Sequence, residues 1–349
     1  MTATTTPGQP WTATTNAPPS RVATAPTRST TAASWTSLHA LILRDLMVLR
    51  KHLVEFTVRT LVQPFLLCFV FLYVFPKIGQ GIGGSSIPGA ESAFATVLVP
   101  GVVGLSIMFQ GIQAVAMQLA QEFGFTREIE DRVQAPCPIW LVAISKVLSG
   151  GAQGLLSAIL VLPIAAVIHA SGVEAHINLH WLLILTIVPL SCLAMTSLGL
   201  LLGTSFEPRN LGLMFGFIVL PITFLGGTYY QWTRLAPVKV GGFHWLQTVV
   251  LVNPLIYVND GMRAAFTNTS HMHLYVIYPA LLAFSAIFMR LGLRNFRRKV
   301  LAKHDHSVTR SRGHAVTRSR GHAVTLAARA QRSGRGRAGG ATRRRGEVI

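Results

Sequence analysis

Acid is scarce in this chain: twelve Asp and Glu stand against 31 Lys and Arg in 349 residues, and charged residues make up only 12%. Half of the residues are hydrophobic and the mean hydropathy is +0.47. So little charge at this length excludes a soluble protein and requires a polytopic membrane protein. Cysteine is nearly absent too. Cys68, Cys137 and Cys192 are scattered, two of them within apolar runs, which argues against a disulfide framework or a metal knuckle and leaves packing as their expected role. No G-x-x-x-x-G-K-S/T sequence occurs, so the chain has no P-loop to cradle ATP phosphates. H-E-x-x-H and G-x-S-x-G are missing as well, which removes the usual constellations of a membrane-embedded protease or acyltransferase.

What is abundant is basic charge, and its location matters more than its sum. The formal charge is +19, but from Arg290 onward there are seventeen Lys or Arg against Asp305 and Glu347 alone. The basicity belongs to a tail. That tail, residues 299–349, carries a tandem V-T-R-S-R-G-H-A at Val308–Ala315 and Val316–Ala323, then Arg/Gly-rich low complexity that cannot build a core. It is expected to be a solvated extension, able to meet anionic lipid, with no specific nucleic-acid role. Residues 1–34, rich in Thr, Ala and Pro and without an apolar signal core, are expected to be a disordered cytoplasmic lead.

Between them lies an all-α membrane domain, residues 35–298, with six expected transmembrane helices. Trp35, Leu38, Ile42, Leu46, Leu49 and Leu53 recur at three- and four-residue steps while Arg44, Asp45, Arg50 and Lys51 take other faces. This pattern predicts an amphipathic helix lying in the membrane interface. Spans are expected at about Phe56–Phe75, Ala95–Leu119, Trp140–Ile168, Trp181–Leu202, Leu211–Leu225 and Leu274–Leu291. Arg59, in the first turns of the first span, is expected to snorkel to the headgroups. Gly101, Gly104 and Gly111, and then Gly150, Gly151 and Gly154, allow close helix approach. In the loop Ala170–His180, His176 and His180 would sit one turn apart on a helix, yet no further ligands follow at recognisable spacing, so no metal is assigned. The run Phe243–Val252 is too short to span and ends at Asn253 and Pro254, which reads as a re-entrant helical hairpin.

The densest charge before the tail lies in Gln121–Pro138. Glu122, Arg127, Glu128, Glu130, Asp131 and Arg132 are packed between two apolar runs, where hydrocarbon would charge a few kcal/mol for each. The segment therefore lies in water or against a partner protein. Phe125, Ile129 and Val133 form an apolar stripe at four-residue spacing, and Pro136 and Pro138 end the helix they imply. Orientation follows from the basic residues: six spans place both termini, this segment and the Glu207 turn together with Arg44, Arg50, Lys51, Arg127, Arg132 and Arg209. By the positive-inside rule that side is cytoplasmic.

Two stretches resemble a known family. E-F-G-F-T-R-E-I-E-D-R-V-Q-A-P-C-P-I-W, Glu122–Trp140, is similar to the cytoplasmic coupling helix of ABC-2 type permeases, the membrane subunits of ABC transporters. F-L-G-G-T-Y-Y-Q-W, Phe224–Trp232, with W-L-Q-T-V-V-L-V-N-P-L-I-Y-V-N-D-G-M-R, Trp245–Arg263, resembles that family's external re-entrant hairpin and its N-P-L-x-Y motif. The resemblance covers about Trp35–Arg298; Val133 and Gln134 depart from the usual leucines, and the basic tail has no counterpart in the pattern.

The resemblance implies a transport subunit rather than an enzyme: a six-span permease in the cell membrane, paired with a second copy or a sister permease above two ABC ATPase subunits. It has no cofactor of its own, ATP and magnesium being expected in the partner ATPase. The coupling contacts would be Glu122, Arg127, Glu128, Glu130, Asp131 and Arg132, seated by Phe125, Ile129 and Val133; the hairpin motif would be Asn253, Pro254, Tyr257, Asp260 and Arg263. The implied activity is export of an amphipathic drug-like or lipid-linked cargo. Polysaccharide or glycolipid export is the alternative within the class, and a membrane-embedded enzyme the alternative outside it.

Overall fold

The computed structural model describes residues 30–78, 90–123, 139–168, 175–238 and 244–300, and among these every long regular element is a helix. In chain order they are α1 (Thr30–Lys51), α2 (Leu53–Lys77), α3 (Ala90–Gln121), α4 (Ile139–Val167), α5 (Trp181–Ser205), α6 (Leu211–Leu225), α7 (Trp245–Leu251), α8 (Pro254–Phe266) and α9 (Leu274–Val300). The charged segment after Phe123, the loops 79–89, 169–174 and 239–243, and residues 1–29 and 301–349 lie outside the described residues.

Five helices, α2, α3, α4, α5 and α9, are long and apolar enough to cross a membrane. The expected fifth span, α6, has its expected bounds but reaches only about 22 Å at 1.5 Å per residue, against roughly 30 Å of hydrocarbon. A π-helical turn at Phe215–Val219 takes up part of that short length. Residues described thus hold five full-length spans and one short apolar helix in the sixth position.

The chain is organised around α3. Its most apolar window is 72% buried, against 22% for α2 and for α9, and it packs on α4, α5 and α8. Small residues set these approaches. A Cβ on Gly199 would stand 2.9 Å from the backbone of Gly111 and Ile112, and one on Gly203 would stand 2.8 Å from Ala116 Cα. The pair Gly199 and Gly203, four apart on α5, therefore brings two backbones together, the packing mode that replaces hydrophobic driving force in lipid. Gly150 and Gly154 of α4 likewise face Val115, Thr196 and Cys192, whereas Gly151 faces open space.

Helix α1 begins at Thr30, inside the stretch expected to be unstructured; no proline stands between Pro26 and Pro64, and Ala32 and Ala33 favour helix. Its expected apolar stripe is split between two environments. Leu38, Ile42 and Leu49 are half-buried on the face that packs on α4, while Trp35 and Leu46 are exposed at 72% and 38%. The half-buried face also carries Asp45.

The expected hairpin is present as α7 and α8, which meet at Val252 and Asn253. Asn253 caps α8 by accepting the Leu255 N–H at 2.9 Å, and Pro254 takes the first helical position, where its missing N–H costs nothing. Every residue of α8 is buried. His176 and His180 lie in the described part of the expected loop: residues 175–180 are not helical, and His180 N–H and Asn178 N–H donate to the Ala265 and Phe266 carbonyls at 2.9 and 2.8 Å. Their backbone is claimed by the end of α8, and the two rings do not share a helix face.

Candidate functional site

Buried charge is found at the two ends of α3. The first site is the hairpin motif. Arg263 and Asp260, 0% and 1% exposed, pair within α8 at 2.7 Å. The Arg263 guanidinium also donates to the Gly227 carbonyl, and Asp260 Oδ2 accepts the Met272 N–H at 3.1 Å. One residue earlier in the chain, Asn259 donates to Gly226 O at 2.7 Å and to Thr228 Oγ1 at 3.1 Å. Asn253 Nδ2 donates to Ile222 O at 2.7 Å, and Tyr257 OH to Leu251 O at 3.0 Å. The expected motif residues Asn253, Pro254, Tyr257, Asp260 and Arg263 are therefore gathered in one place. Their polar atoms hold the end of α6 and the turn after it onto α8.

That turn needs its glycines. Gly227 has φ +69°, a conformation that side chains rarely adopt. A Cβ on Gly101 or Gly104 of α3 would collide with Thr228 O or Asn259 Oδ1 respectively, so α3 presents bare backbone to the turn and to α8. Burial pushes the Tyr229 and Tyr230 phenols above their ordinary value. They stay neutral, and Tyr230 OH donates to Phe224 O at 3.3 Å.

The second site is at the opposite end of α3, where the charged segment begins. Lys146 of α4, whose side chain is 4% exposed, places Nζ 2.9 Å from Glu122 Oε1 and 3.4 Å from Asp45 Oδ2. Gln118 Oε1 accepts from the same ammonium at 3.4 Å, and Ser149 Oγ donates to Asp45 Oδ2 at 3.2 Å. Arg44 flanks Asp45 at 3.8 Å from the more exposed side. Next to Glu122, Phe123 meets the Phe296 ring edge-on, 5.6 Å between centroids, and lies under Lys299 Nζ at 5.9 Å. One short stretch thus joins α1, α3, α4 and α9.

Of the residues expected to contact an ATPase, Glu122 stands in this cluster. Phe125, Arg127, Glu128, Ile129, Glu130, Asp131, Arg132 and Val133 lie outside the described residues. Sequence reasoning missed Glu122's partner Lys146, and with it Asp45, the second carboxylate on that ammonium. Lys146 did carry a signal, since it is the one charged residue in α4, and an ionisable group in a span demands a partner. Asp45 was assigned to the wet face of α1, and nothing in its neighbours distinguishes it from the charges around it.

A third, uncharged cluster lies between these ends. Thr60 Oγ1 donates to Gln110 Oε1 at 3.2 Å, and Gln110 Nε2 to Gln153 Oε1 at 3.3 Å, linking α2, α3 and α4 inside the apolar layer. Among the described residues no group of three or more His, Cys, Asp or Glu could hold a metal.

Helices of this length, glycine-mediated crossings and a short, wholly buried helix ahead of the last span define a polytopic membrane protein of the kind the sequence resembles. Residues 36–267 match the family described as ABC-2 type transporter, and the chain belongs to that family. It is similar to the inner membrane transport permease YadH of Escherichia coli strain K12, 28% identical over 235 residues, which cover 66% of this chain and 84% of YadH. The permease of the same name from Shigella flexneri is similar to the same extent. This chain is accordingly a multi-pass membrane subunit of the permease class.

Proposed function

We propose that the chain is the membrane subunit of an ATP-driven exporter, which moves an amphipathic drug-like or lipid-linked molecule across the cytoplasmic membrane and draws its energy from separate ATPase subunits. The observation that carries the reading is the Glu122 cluster. The charged segment is rooted in an ion network through which α1, α3 and α4 are joined at one point. A push on the segment would be delivered to three helices together, because breaking the network would strand buried carboxylates at a cost of about 2 kcal/mol.

In this reading Glu122, Arg127, Glu128, Glu130, Asp131 and Arg132 make charged contacts to an ATPase that holds ATP and magnesium, and Phe125, Ile129 and Val133 seat the helix. Two permeases, identical or sister chains, stand above two ATPases, with both termini in the cytoplasm. ATPase closure tilts the spans, and cargo passes between the permeases. The family as a class supports an ABC ATPase as the partner. The scarcity of ionisable residues within the spans supports an amphipathic cargo rather than a small ion.

The test is a mild-detergent pull-down of the tagged full-length chain. A Walker-motif ATPase should copurify, and Glu130→Lys with Asp131→Lys should release it while the chain stays folded. Absence of any ATPase from an intact membrane complex would overturn the reading.

A further inference from the structure

The turn at His52 between α1 and α2 opens on a groove of about 640 Å³ lined by Lys51, His52, Val54, Glu55, Val58 and Arg59. One part of it is cationic. Glu55, the single acid in the groove, has its Oε2 3.6 Å from His52 Nδ1, and two cations outnumber it there. Lys51 and Arg59 have no ion-pair partner among the described residues. The other part is apolar. Val54, Val58 and Val62, 80%, 59% and 51% exposed, follow one another at four-residue steps up the outer face of α2, with Phe65, Leu66 and Phe69 continuing the same exposed strip.

Arg59 also borders a second, narrower cleft between α2 and α3. Thr60, Gln63, Ser106, Gln110 and Gln113 line it, and its volume of about 30 Å³ has room for one or two waters. Two cations at the foot of a span, an apolar strip rising from them, and amide and hydroxyl groups beside the inner cation make an amphipathic site. An anionic phosphate attached to acyl chains matches all three parts. A free phosphate would leave the strip uncovered, and a choline headgroup would bring a further cation to a groove where Lys51 and Arg59 already outnumber the one carboxylate.

We propose that the α1–α2 elbow binds an anionic glycerophospholipid. Its phosphate is held by Lys51 and Arg59, its glycerol and headgroup oxygens are within the reach of Gln63 and Gln113, directly or through water, and one acyl chain lies along Val54, Val58 and Val62. The lipid stays with the protein as a fixed part of the elbow. The inference rests on α2 being membrane-spanning; it needs neither the ATPase nor the cargo assigned above, so it can fail or hold separately from them.

The experiment is a binding titration of the purified full-length chain, in neutral detergent, with fluorescent phosphatidylglycerol and with phosphatidylcholine of the same chains. Phosphatidylglycerol should bind at least tenfold more tightly. Lys51→Gln and Arg59→Gln should each weaken it about fivefold, from the usual worth of one basic residue at a charged lipid surface, and should leave phosphatidylcholine binding unchanged. Arg209→Gln, which alters an exposed ion pair at another turn, controls for loss of charge alone and should bind as the parent does. Inorganic phosphate in the millimolar range should not compete. Equal affinity for the two lipids would overturn the proposal. So would parental binding by the Lys51→Gln/Arg59→Gln double variant with unchanged elution on size exclusion, full competition by inorganic phosphate, or spontaneous disulfide formation between copies carrying Val58→Cys, which would assign this face to a second copy of the chain.

Discussion

The two ends of α3 solve the same problem, a buried ion pair in an apolar protein, in different ways. At the hairpin end, Asp260 and Arg263 are three residues apart on one helix, and their remaining hydrogen bonds go to backbone of the adjoining turn and of Met272. At the other end, Lys146 reaches Asp45 and Glu122 on two other helices. The local pair needs only α8 to bring its charges within reach, and what it adds is a rigid attachment of the neighbouring turn. The long-range cluster exists only when α1, α3 and α4 have assembled. A pair within one helix stiffens a part, whereas a cluster between helices joins parts that could otherwise move separately. In the exporter proposed above, only the second arrangement suits the place where force would enter.

The comparison can be broken most severely at the hairpin. Arg263→Ala strands a fully buried Asp260 and should cost about 3–5 kcal/mol, the usual penalty for removing one partner of a buried pair. Thermal unfolding in detergent should show little folded protein, with no salt dependence to rescue it, since the site is dry. Gly104→Ala comes next. It forces a methyl group against Asn259 and should destabilise by about 1–3 kcal/mol through overpacking, readable in the same melt.

Lys146→Met sharpens the contrast. It leaves Asp45 and Glu122 facing each other and should lower stability by about 2 kcal/mol, while ATPase activity of the assembled complex loses its response to cargo. The triple variant Asp45→Asn, Lys146→Met, Glu122→Gln should recover most of the stability and none of that response. If stability and response return together, the cluster is a structural clamp and no more. The smallest effect is expected at the exposed Glu207–Arg209 pair, 61% and 83% exposed. Arg209→Gln should stay within about 0.5 kcal/mol of the parent, because water already solvates both charges.

Much of this arrangement was legible before any coordinates, and the reasons are local. An apolar run of twenty residues has few alternatives to a span, so α2, α3, α4, α5 and α9 were expected near where they stand. Asn253 and Pro254 stop α7 and start α8 by cap chemistry that needs only neighbouring residues, and the hairpin was expected for that reason; its motif residues Tyr257, Asp260 and Arg263 were expected through the family resemblance. Gly101, Gly104 and Gly111 were expected at close approaches, and all three are. The pair Gly199 and Gly203, four residues apart, was overlooked beside the apolar leucines between them. A loop was expected at His176 and His180, but their spacing carries no information about the Ala265 and Phe266 carbonyls that accept from His180 and Asn178.

The linear sequence thus determined the class of molecule, the places where it can cross a membrane, the breaks between helices and the water-seeking character of the Gln121–Pro138 segment. Each of these depends on composition or on residues within a turn or two of one another, where hydrophobic transfer and capping act without reference to the rest of the chain. Tertiary structure alone decided which charges are buried and with whom: that Asp45 leaves the wet face of α1 for Lys146, that Glu122 closes the cluster, and that Arg263 finds Gly227. The worth of a charge in a low-dielectric interior is set by its partners, and residues 101 positions apart, such as Asp45 and Lys146, become partners only through packing.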